Sequence, residues 1–209
     1  MTEPRIGIVI LAAGSSIRLG KPKQLLEYEG KSLLRRSVEA ALECGCESVV
    51  VVLGSEADEL AKELRDLPVS IALNDSWAEG ISSSIKAGLI KLFDMDPHVA
   101  AVVVMLCDQP YVSEKSITSL VNTYRLSGKP IVAAEYDGVL GVPALFDRVM
   151  FDELMKLDGD AGARVVIRQN SSDKVAKVRA PEAAFDVDTP EDLQRLANAR
   201  DRKTKRTSQ

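Results

Sequence analysis

The sequence predicts an α/β fold of three layers, in which helices cover both faces of a mostly parallel sheet. Three observations support this prediction. Long apolar runs, such as residues 6–13 and 99–106, have the character of strands that are buried on both faces. Segments with apolar residues at helical spacing lie between these runs. The chain has 209 residues, of which 45% are hydrophobic, so it is long enough for one such domain with a substantial core.

The predicted elements alternate regularly in the first part of the chain and less regularly in the second. Strands are predicted at residues 6–13, 48–53, 69–73, 99–106 and 130–134, and helices at 32–44, 56–65, 82–93 and 113–126. Farther on, the sequence predicts an extended segment at 138–146, helices at 147–157, 162–169 and 189–199, and short strands at 175–178 and 185–187. Residues 1–199 are expected to form a single domain, followed by a polar, basic and disordered tail at 200–209.

The predicted sheet also indicates where a ligand should bind. Ligands of parallel α/β sheets bind beyond the carboxyl ends of the strands. The loops that follow Ala13, Leu73 and Leu106 are therefore expected to line one cleft.

Composition and charge exclude several kinds of partner. The net charge is −4 and the pI about 5.2, so no broad basic surface for nucleic acid is predicted. No apolar run approaches the roughly 20 residues of a membrane span, and the first residues lack the apolar stretch of a secretory signal.

The three cysteines, Cys44, Cys46 and Cys107, are typical of a reducing compartment, so a cytoplasmic location is expected. The single histidine, His98, lies in a predicted turn, which disfavours a mechanism that depends on histidine.

The most informative segment is LAAGSSIRLGKPKQLL at residues 11–26, a glycine-containing loop directly after the first predicted strand. Small residues let backbone N–H groups approach an anion closely, which suits a nucleoside triphosphate. The loop also carries three basic side chains: Arg18, Lys21 and Lys23. It is not a Walker A loop, because five residues separate Gly14 from Gly20, and the chain has no GxGxxG pattern. An ordinary surface loop with basic residues is the alternative interpretation.

Three aspartates are candidate ligands of a metal ion. Asp108 closely follows the apolar run 99–106, and Mg²⁺ is usually held by one or two carboxylates together with substrate phosphates. A turn aspartate before Pro110 is the alternative. Asp186 and Asp188 alternate in DVDTPEDL, so both lie on one side of an extended segment. Asp188, however, can equally be the cap of the last predicted helix.

Another group of polar residues lies at the start of the helix predicted at 82–93. The run NDSWAEGISSS places amides, hydroxyls and a glycine there, and such groups suit a ribose, a base edge or a phosphate. The residues concerned are Asn74, Gly80, Ser82 and Ser83. Capping of the helix by one serine is the simpler alternative. Farther along the chain, glycines around Asp160 and Arg164 predict a tight turn that opens a helix.

Residues 11–26 resemble the signature loop of the MobA-like nucleotidyltransferases, LxxGxxxRxGxxK. The chain matches this pattern at Leu11, Gly14, Arg18, Gly20 and Lys23. The pair Ala12-Ala13 is similar to the cytidylyltransferase branch of that family, whereas the guanylyltransferase branch more often has glycine there. The runs LCDQP and DVDTPEDL resemble its metal-binding and C-terminal elements, and residues 74–84 resemble its nucleotide-binding element.

The resemblance implies a Rossmann-like sheet of the nucleotide-diphospho-sugar transferase type and a set of site residues. Arg18, Lys23 and Asp108 would be catalytic. Mg²⁺ would bind Asp108 together with Asp186 or Asp188. The nucleotide would contact Leu11, Ala12, Ala13, Gly14, Lys23, Asn74, Gly80, Ser82 and Ser83. Many relatives have a histidine before the proline in the acceptor region, whereas this chain has Val142, so the acceptor contacts stay open.

The reaction implied by the resemblance is transfer of CMP from CTP to the phosphate of molybdenum-bound molybdopterin, with release of pyrophosphate. A phosphate monoester is largely ionised at pH 7 and needs no general base, in agreement with the single histidine. A xanthine-dehydrogenase-type enzyme or its maturation factor is the implied partner. The alternatives are a guanylyltransferase that uses GTP, a transferase of a sugar or polyol phosphate, and a non-catalytic nucleotide-binding protein. A redox role, which is attached to some relatives, has no support from a dinucleotide fingerprint.

Overall fold

The computed structural model describes residues 3–15 and 21–207, with side chains described as far as residue 198. Its strands are β1 (Ile6–Leu11), β2 (Glu27–Tyr28), β3 (Lys31–Ser32), β4 (Ser48–Leu53), β5 (Ser70–Leu73), β6 (Ala101–Leu106), β7 (Ile131–Tyr136), β8 (Val139–Asp147) and β9 (Val175–Arg179). Its α-helices are α1 (Leu33–Glu43), α2 (Ala57–Leu60), α3 (Ile81–Met95), α4 (Glu114–Ser127), α5 (Phe151–Met155), α6 (Ala163–Gln169) and α7 (Pro190–Thr207). Within the described ranges, no helix is both long enough and apolar enough to cross a membrane.

The central sheet has seven strands in the order β5-β4-β1-β6-β8-β7-β9. The neighbours β5, β4, β1 and β6 are parallel, whereas β8 is antiparallel to both β6 and β7. The last strand, β9, runs parallel to β7, and β2 and β3 form a separate hairpin. The prediction of a mostly parallel sheet is confirmed. The antiparallel strand β8 corresponds to the segment for which the sequence predicts only an extended conformation.

Helices cover both faces of the sheet, because the side chains of each buried strand alternate between two apolar cores. In β1, Ile8 and Ile10 pack in one core with residues of α1 and α4. Val9 packs in the other core with residues of α3, α5 and α6. All of β1 is buried, as expected of a strand in the middle of a covered sheet. The predicted three-layer arrangement is therefore confirmed.

Two helical segments differ from the sequence prediction. Residues 56–65 contain one turn of α-helix and then a 3-10 helix, instead of one continuous helix. Helix α7 continues to Thr207, beyond the predicted end at Ala199 and into the predicted tail. The physical reason is that residues 191–207 contain neither glycine nor proline and are rich in arginine and lysine, which favour helix.

The strand predicted at residues 185–187 is wrong. These residues lie outside the sheet and follow a short 3-10 helix, Pro181–Ala184. The alternating apolar side chains do not indicate a strand here. Phe185 and Val187 pack instead into a third, smaller core with Leu33 of α1. The segment therefore shows the period of a strand without pairing as one.

Candidate active site

A pocket of about 380 Å³ lies at the carboxyl ends of β1 and β6. Its walls come from the loops that follow β1, β5 and β6, so the predicted convergence of these loops is confirmed. The end of β1 and its loop contribute Leu11, Ala12, Ala13, Gly14 and Ser15. Other lining residues are Lys23, Gln24, Trp77, Gly80, Ile81, Asp108 and Asp160. We refer to this cavity as the active-site pocket.

Lys23 connects two of the predicted metal-binding aspartates. Its Nζ donates to Asp108 Oδ2 at 2.5 Å and to Asp188 Oδ1 at 2.7 Å. The side chains of Lys23 and Asp108 are 18% and 11% exposed, whereas that of Asp188 is 50% exposed. Burial by itself would lower the pKa of Lys23, but the charge of Asp108 and the hydrogen bonds to Asp108 and Asp188 outweigh it and hold that pKa well above its usual value. Lys23 is therefore fully protonated.

The three predicted metal ligands lie close enough to influence one another. The Val187 N–H donates to the backbone carbonyl of Asp108 at 3.0 Å, which docks the segment carrying Asp186 and Asp188 against the end of β6. Partial desolvation, and next the charge of Asp108, raise the pKa of Asp186 to about 6, although the Asp186 residue keeps contact with solvent. Asp108 Oδ1 is buried and has no hydrogen-bond partner among the described residues. Asp108, Asp186 and Asp188, which we call the carboxylate cluster, therefore form an acidic site that Lys23 neutralises only in part.

The carboxylate cluster fits a divalent cation held by few protein ligands. No group of three or more histidine, cysteine or acidic residues in residues 3–15 and 21–207 has the arrangement of a complete metal site. Mg²⁺ and similar ions, however, are commonly bound through one or two carboxylates and the phosphates of a substrate. The buried Oδ1 of Asp108, and the ammonium group held between Asp108 and Asp188, indicate that the position suits a cation.

Gln24 is a pocket residue that the sequence analysis does not identify. Its side chain is buried, and Nε2 donates to the carbonyl of Ala12 at 2.9 Å and to that of Gly14 at 2.8 Å. Because a trans peptide places C=O and N–H on opposite sides, the N–H groups of Ala13 and Ser15 point away from Gln24. Gln24 thereby holds the conformation of the loop after β1. The sequence signal is weak, since it is one polar residue beside the apolar pair of KPKQLL.

Part of the signature loop lies outside the described residues. This part includes Arg18 and Gly20, so the catalytic role of Arg18 stays a prediction. The lysines at the end of the loop are described, and they differ: Lys21 is exposed, whereas Lys23 is half-buried.

Asn74, Ser82 and Ser83 do not line the active-site pocket, although the structure describes all of them. Asn74 Nδ2 donates to Ser83 Oγ at 2.9 Å, and Asn74 Oδ1 accepts from the Ser76 N–H at 3.1 Å. These contacts brace the turn between β5 and α3. Of the four residues predicted in this run, Gly80 reaches the pocket, and direct contact of the others with a nucleotide stays a prediction.

Gly80 holds the turn before α6 against the start of α3. Its φ is +114°, and a Cβ atom at this position would lie 2.3 Å from the carbonyl oxygen of Gly159. The Ser82 N–H donates to the same carbonyl at 3.1 Å. This contact brings Asp160 into the pocket wall. The sequence predicts the turn around Asp160, but it does not predict that this turn packs against Gly80.

The predicted acceptor region lies beside the carboxylate cluster. The carbonyl of Val142 in β8 accepts a hydrogen bond from Gln109 Nε2 at 3.3 Å. Burial, and next the charge of Asp186, raise the pKa of Tyr136, while the charge of Arg164 opposes the rise. The Nε of Arg164 is buried without a hydrogen-bond partner in the described part of the chain. Arg164 therefore has a donor left for a further group.

Comparison with known proteins agrees with this geometry. The family model described as MobA-like NTP transferase domain matches residues 8–175. A protein of Paenarthrobacter nicotinovorans named nicotine blue oxidoreductase is 33% identical over 202 residues, covering 92% of this chain and 97% of the relative. The molybdenum cofactor cytidylyltransferase of Escherichia coli strain K12 is 24% identical over 191 residues, covering 90% of this chain and 93% of the relative.

Solved structures show the same fold. A homologue of Mycobacterium tuberculosis Rv0371c, from Mycobacterium sp. strain JC1, is 33% identical with a TM-score of 0.79, covering 93% of this chain and 96% of that chain. Rv0371c of M. tuberculosis H37Rv, crystallised in complex with manganese, is 26% identical with a TM-score of 0.76, covering 92% and 97%. The fold is that of the nucleotide-diphospho-sugar transferases, as predicted. Because the family model matches most of the chain, the chain belongs to the MobA-like NTP transferase family.

Proposed function

We propose that this protein is a magnesium-dependent molybdenum cofactor cytidylyltransferase, which transfers CMP from CTP to the phosphate of molybdenum-bound molybdopterin and releases pyrophosphate. The observation that supports this function best is the bridge from Lys23 to Asp108 and Asp188, beside a pocket that begins at a glycine-containing loop. Family membership supports nucleotidyl transfer. The pair Ala12-Ala13 and the relative from E. coli favour CTP and molybdopterin.

The proposed reaction depends on charge neutralisation more than on proton transfer. The acceptor phosphate has a second pKa of about 6, so at pH 7 it is largely ionised and attacks without a general base. In agreement with this, no histidine is among the described residues that line the pocket. Bound Mg²⁺ would act as a Lewis acid on the α-phosphate, and Asp108 with Asp186 or Asp188 would hold it.

The chain's own donors would orient the triphosphate. Lys23 carries a full positive charge at a position with little solvent, where its attraction for phosphate is less screened than at the surface. The N–H groups of Ala13 and Ser15 can donate to phosphate oxygens, because Gln24 holds the neighbouring carbonyls on the other side. Arg18 would add a second positive charge. Loss of one such group should raise the reaction barrier by on the order of 3 kcal/mol.

The test is pyrophosphate release by the purified protein with Mg²⁺, freshly prepared molybdenum cofactor, and CTP, GTP or ATP in separate reactions. The expected result is release in the reaction with CTP but not in those with GTP or ATP, together with a cytosine dinucleotide product identified by mass spectrometry. Release with GTP would keep the chemistry and refute the base assignment. No release with any nucleotide, in folded protein that binds CTP, would refute the cytidylyltransferase and favour a nucleotide-binding protein. Asp108→Asn is the matched inactive control.

The proposed product also implies a protein that receives the cofactor and a cellular location for the transfer. The cytosine dinucleotide form of the cofactor would pass to a xanthine-dehydrogenase-type enzyme or its maturation factor in the cytoplasm. Transfer is tested by mixing the loaded protein with an apo-enzyme of this type and measuring recovery of its hydroxylase activity. Equal recovery with cofactor alone would contradict a direct hand-over.

An oxidoreductase is a second candidate, because the relative from Paenarthrobacter nicotinovorans carries that name. The chain has no GxGxxG fingerprint for a dinucleotide cofactor, which weighs against this activity. Trp77 is the single tryptophan and lies in the pocket wall, so its fluorescence can report ligand binding there. Saturable quenching by NADH or NADPH, with no response to CTP, would favour the oxidoreductase over the transferase.

A further inference from the structure

The carboxylate cluster contains a cation that belongs to the protein itself. Lys23 Nζ lies 2.5 Å from Asp108 Oδ2 and 2.7 Å from Asp188 Oδ1. The first distance is short even for a charge-assisted hydrogen bond, and the second is at the short end of the normal range. The pair of Lys23 and Asp108 is largely shielded from solvent, so its attraction is screened less than that of a surface ion pair. The ammonium group therefore competes strongly for these oxygen atoms.

A divalent cation would need the same carboxylates. Mg²⁺ binds oxygen ligands at about 2.0–2.1 Å, so an ion on Asp108 Oδ2 would take the position of the ammonium group. An ion that bound through the other oxygen, Asp108 Oδ1, and through Asp186 would still lie close to that positive charge and be repelled by it. Binding of a free divalent ion is therefore disfavoured while Lys23 stays in place.

We infer that Lys23 is a placeholder for the divalent cation: it neutralises part of the cluster's charge before substrate binds, disfavours the free ion, and moves to the triphosphate when a metal–nucleotide complex arrives. This inference rests on the proposed nucleotidyl transfer, and it names the form of the substrate, which is the metal complex of a nucleoside triphosphate. Lys23 begins the short 3-10 helix Lys23–Leu25 at the end of the signature loop. Its flexible four-carbon side chain allows the ammonium group to exchange partners.

In the exchange, the carboxylates and the lysine each keep a partner of opposite charge in both states. Before binding, Lys23 compensates Asp108 and Asp188. After binding, the divalent ion compensates the carboxylates and the triphosphate compensates the lysine. A free ion brings only the first of these two compensations, since it separates Lys23 from both aspartates and offers no anion in return.

The test measures binding of Mn²⁺ to the full chain without nucleotide, through loss of the EPR signal of the free ion. Lys23→Met removes the ammonium group and keeps a long side chain. Lys21→Met is the matched control, because Lys21 is an exposed lysine of the same loop. Asp108→Asn identifies the site. Circular dichroism and thermal unfolding verify that each variant is folded, and Lys23→Gln replaces Lys23→Met should the latter not fold.

Lys23→Met should bind free Mn²⁺ on the order of tenfold or more tightly than the unsubstituted protein, since the ion no longer displaces two charged hydrogen bonds. Lys21→Met should leave Mn²⁺ affinity unchanged, and Asp108→Asn should abolish the gain when it is combined with Lys23→Met. A non-hydrolysable CTP analogue should raise Mn²⁺ affinity in the unsubstituted protein, and Lys23→Met should reduce this rise.

Two results would overturn the inference. The first is equal or weaker Mn²⁺ binding by a folded Lys23 variant. The second is an equal gain in Lys21→Met, which would show that only net charge matters. The readout needs no turnover, so it separates the two proposals. Tighter Mn²⁺ binding by Lys23→Met, with no pyrophosphate release from any nucleotide by the unsubstituted protein, would support the placeholder and refute the cytidylyltransferase.

Discussion

The substitution Gly80→Ala tests whether the contact between two distant turns builds the pocket. Gly80 has φ +114° and ψ 176°, a backbone conformation that is almost confined to glycine. A Cβ atom there would also lie 2.3 Å from Gly159 O and 2.8 Å from the Asp160 nitrogen. Because both of these atoms belong to the backbone, no side-chain rotation can relieve the overlap.

The magnitude follows from two contributions. Backbone strain of this kind costs about 1–3 kcal/mol, and overpacking that moves the backbone costs about 1–3 kcal/mol. We therefore expect Gly80→Ala to lower the free energy of unfolding by roughly 2–6 kcal/mol. The displaced turn would also lose the hydrogen bond from Ser82 N–H to Gly159 O and carry Asp160 away from the pocket, so nucleotide affinity should fall as well.

The assay is urea unfolding combined with nucleotide titration, both followed by the fluorescence of Trp77. Gly128→Ala is the control, because Gly128 also has positive φ, +62°, but nothing lies within 4 Å of the added Cβ atom. It should lose only about 1–2 kcal/mol from backbone strain and keep its nucleotide affinity. If Gly80→Ala is no less stable than Gly128→Ala and binds nucleotide equally well, the reasoning is refuted.

Further predictions concern single side chains of the site. Asp108→Asn should leave the protein folded but reduce kcat on the order of 10²-fold or more, because it removes the most buried carboxylate of the cluster; near-normal turnover in the pyrophosphate assay would exclude Asp108 from the mechanism. Gln24→Met keeps the volume but leaves two carbonyls without their donor, so the free energy of unfolding should fall by about 1–3 kcal/mol and KM for the nucleotide should rise. Unchanged urea unfolding and an unchanged KM would show that these two hydrogen bonds of Gln24 do not hold the loop after β1. The pKa of Asp186 is raised to about 6, so the folded state binds that proton more tightly than the unfolded chain, and the contribution of Asp186 to stability decreases as pH rises from about 4 to about 6. Asp186→Asn should therefore stabilise the protein more at pH 7 than at pH 4, as measured by urea unfolding in metal-free buffer; a gain that is larger at pH 4 would contradict this.

The fold could be predicted from local patterns because burial of a strand on both faces requires a continuous apolar run. Such runs mark β1 and β6, and helical spacing marks the segments between them. The place of the pocket follows as well, since ligands of parallel sheets bind beyond the carboxyl ends of the strands. The place of Asp108 in the pocket wall could be predicted for the same reason, because it is a carboxylate just after an apolar run.

The contacts that small polar residues make with their neighbours could not be predicted in this way. Asn74 and Ser83 have amide and hydroxyl groups that suit a ligand, and in the structure they bind each other and the turn around them, so their contact with a nucleotide stays a prediction. Gln24 has no motif of its own, yet it clamps the loop after β1. A polar group can be satisfied by a ligand or by a neighbour, and the residue type is the same in both cases.

Local patterns therefore specify the layers of this protein, the edge of the sheet that carries the pocket, and the residue types available there. It is the packed structure that shows that β8 runs antiparallel between β6 and β7, and that Lys23 meets Asp108 and Asp188 across separations of 85 and 165 positions. Hydrophobic periodicity is a property of neighbouring residues. A contact between distant side chains depends on how whole elements pack, and that packing is set by the entire core.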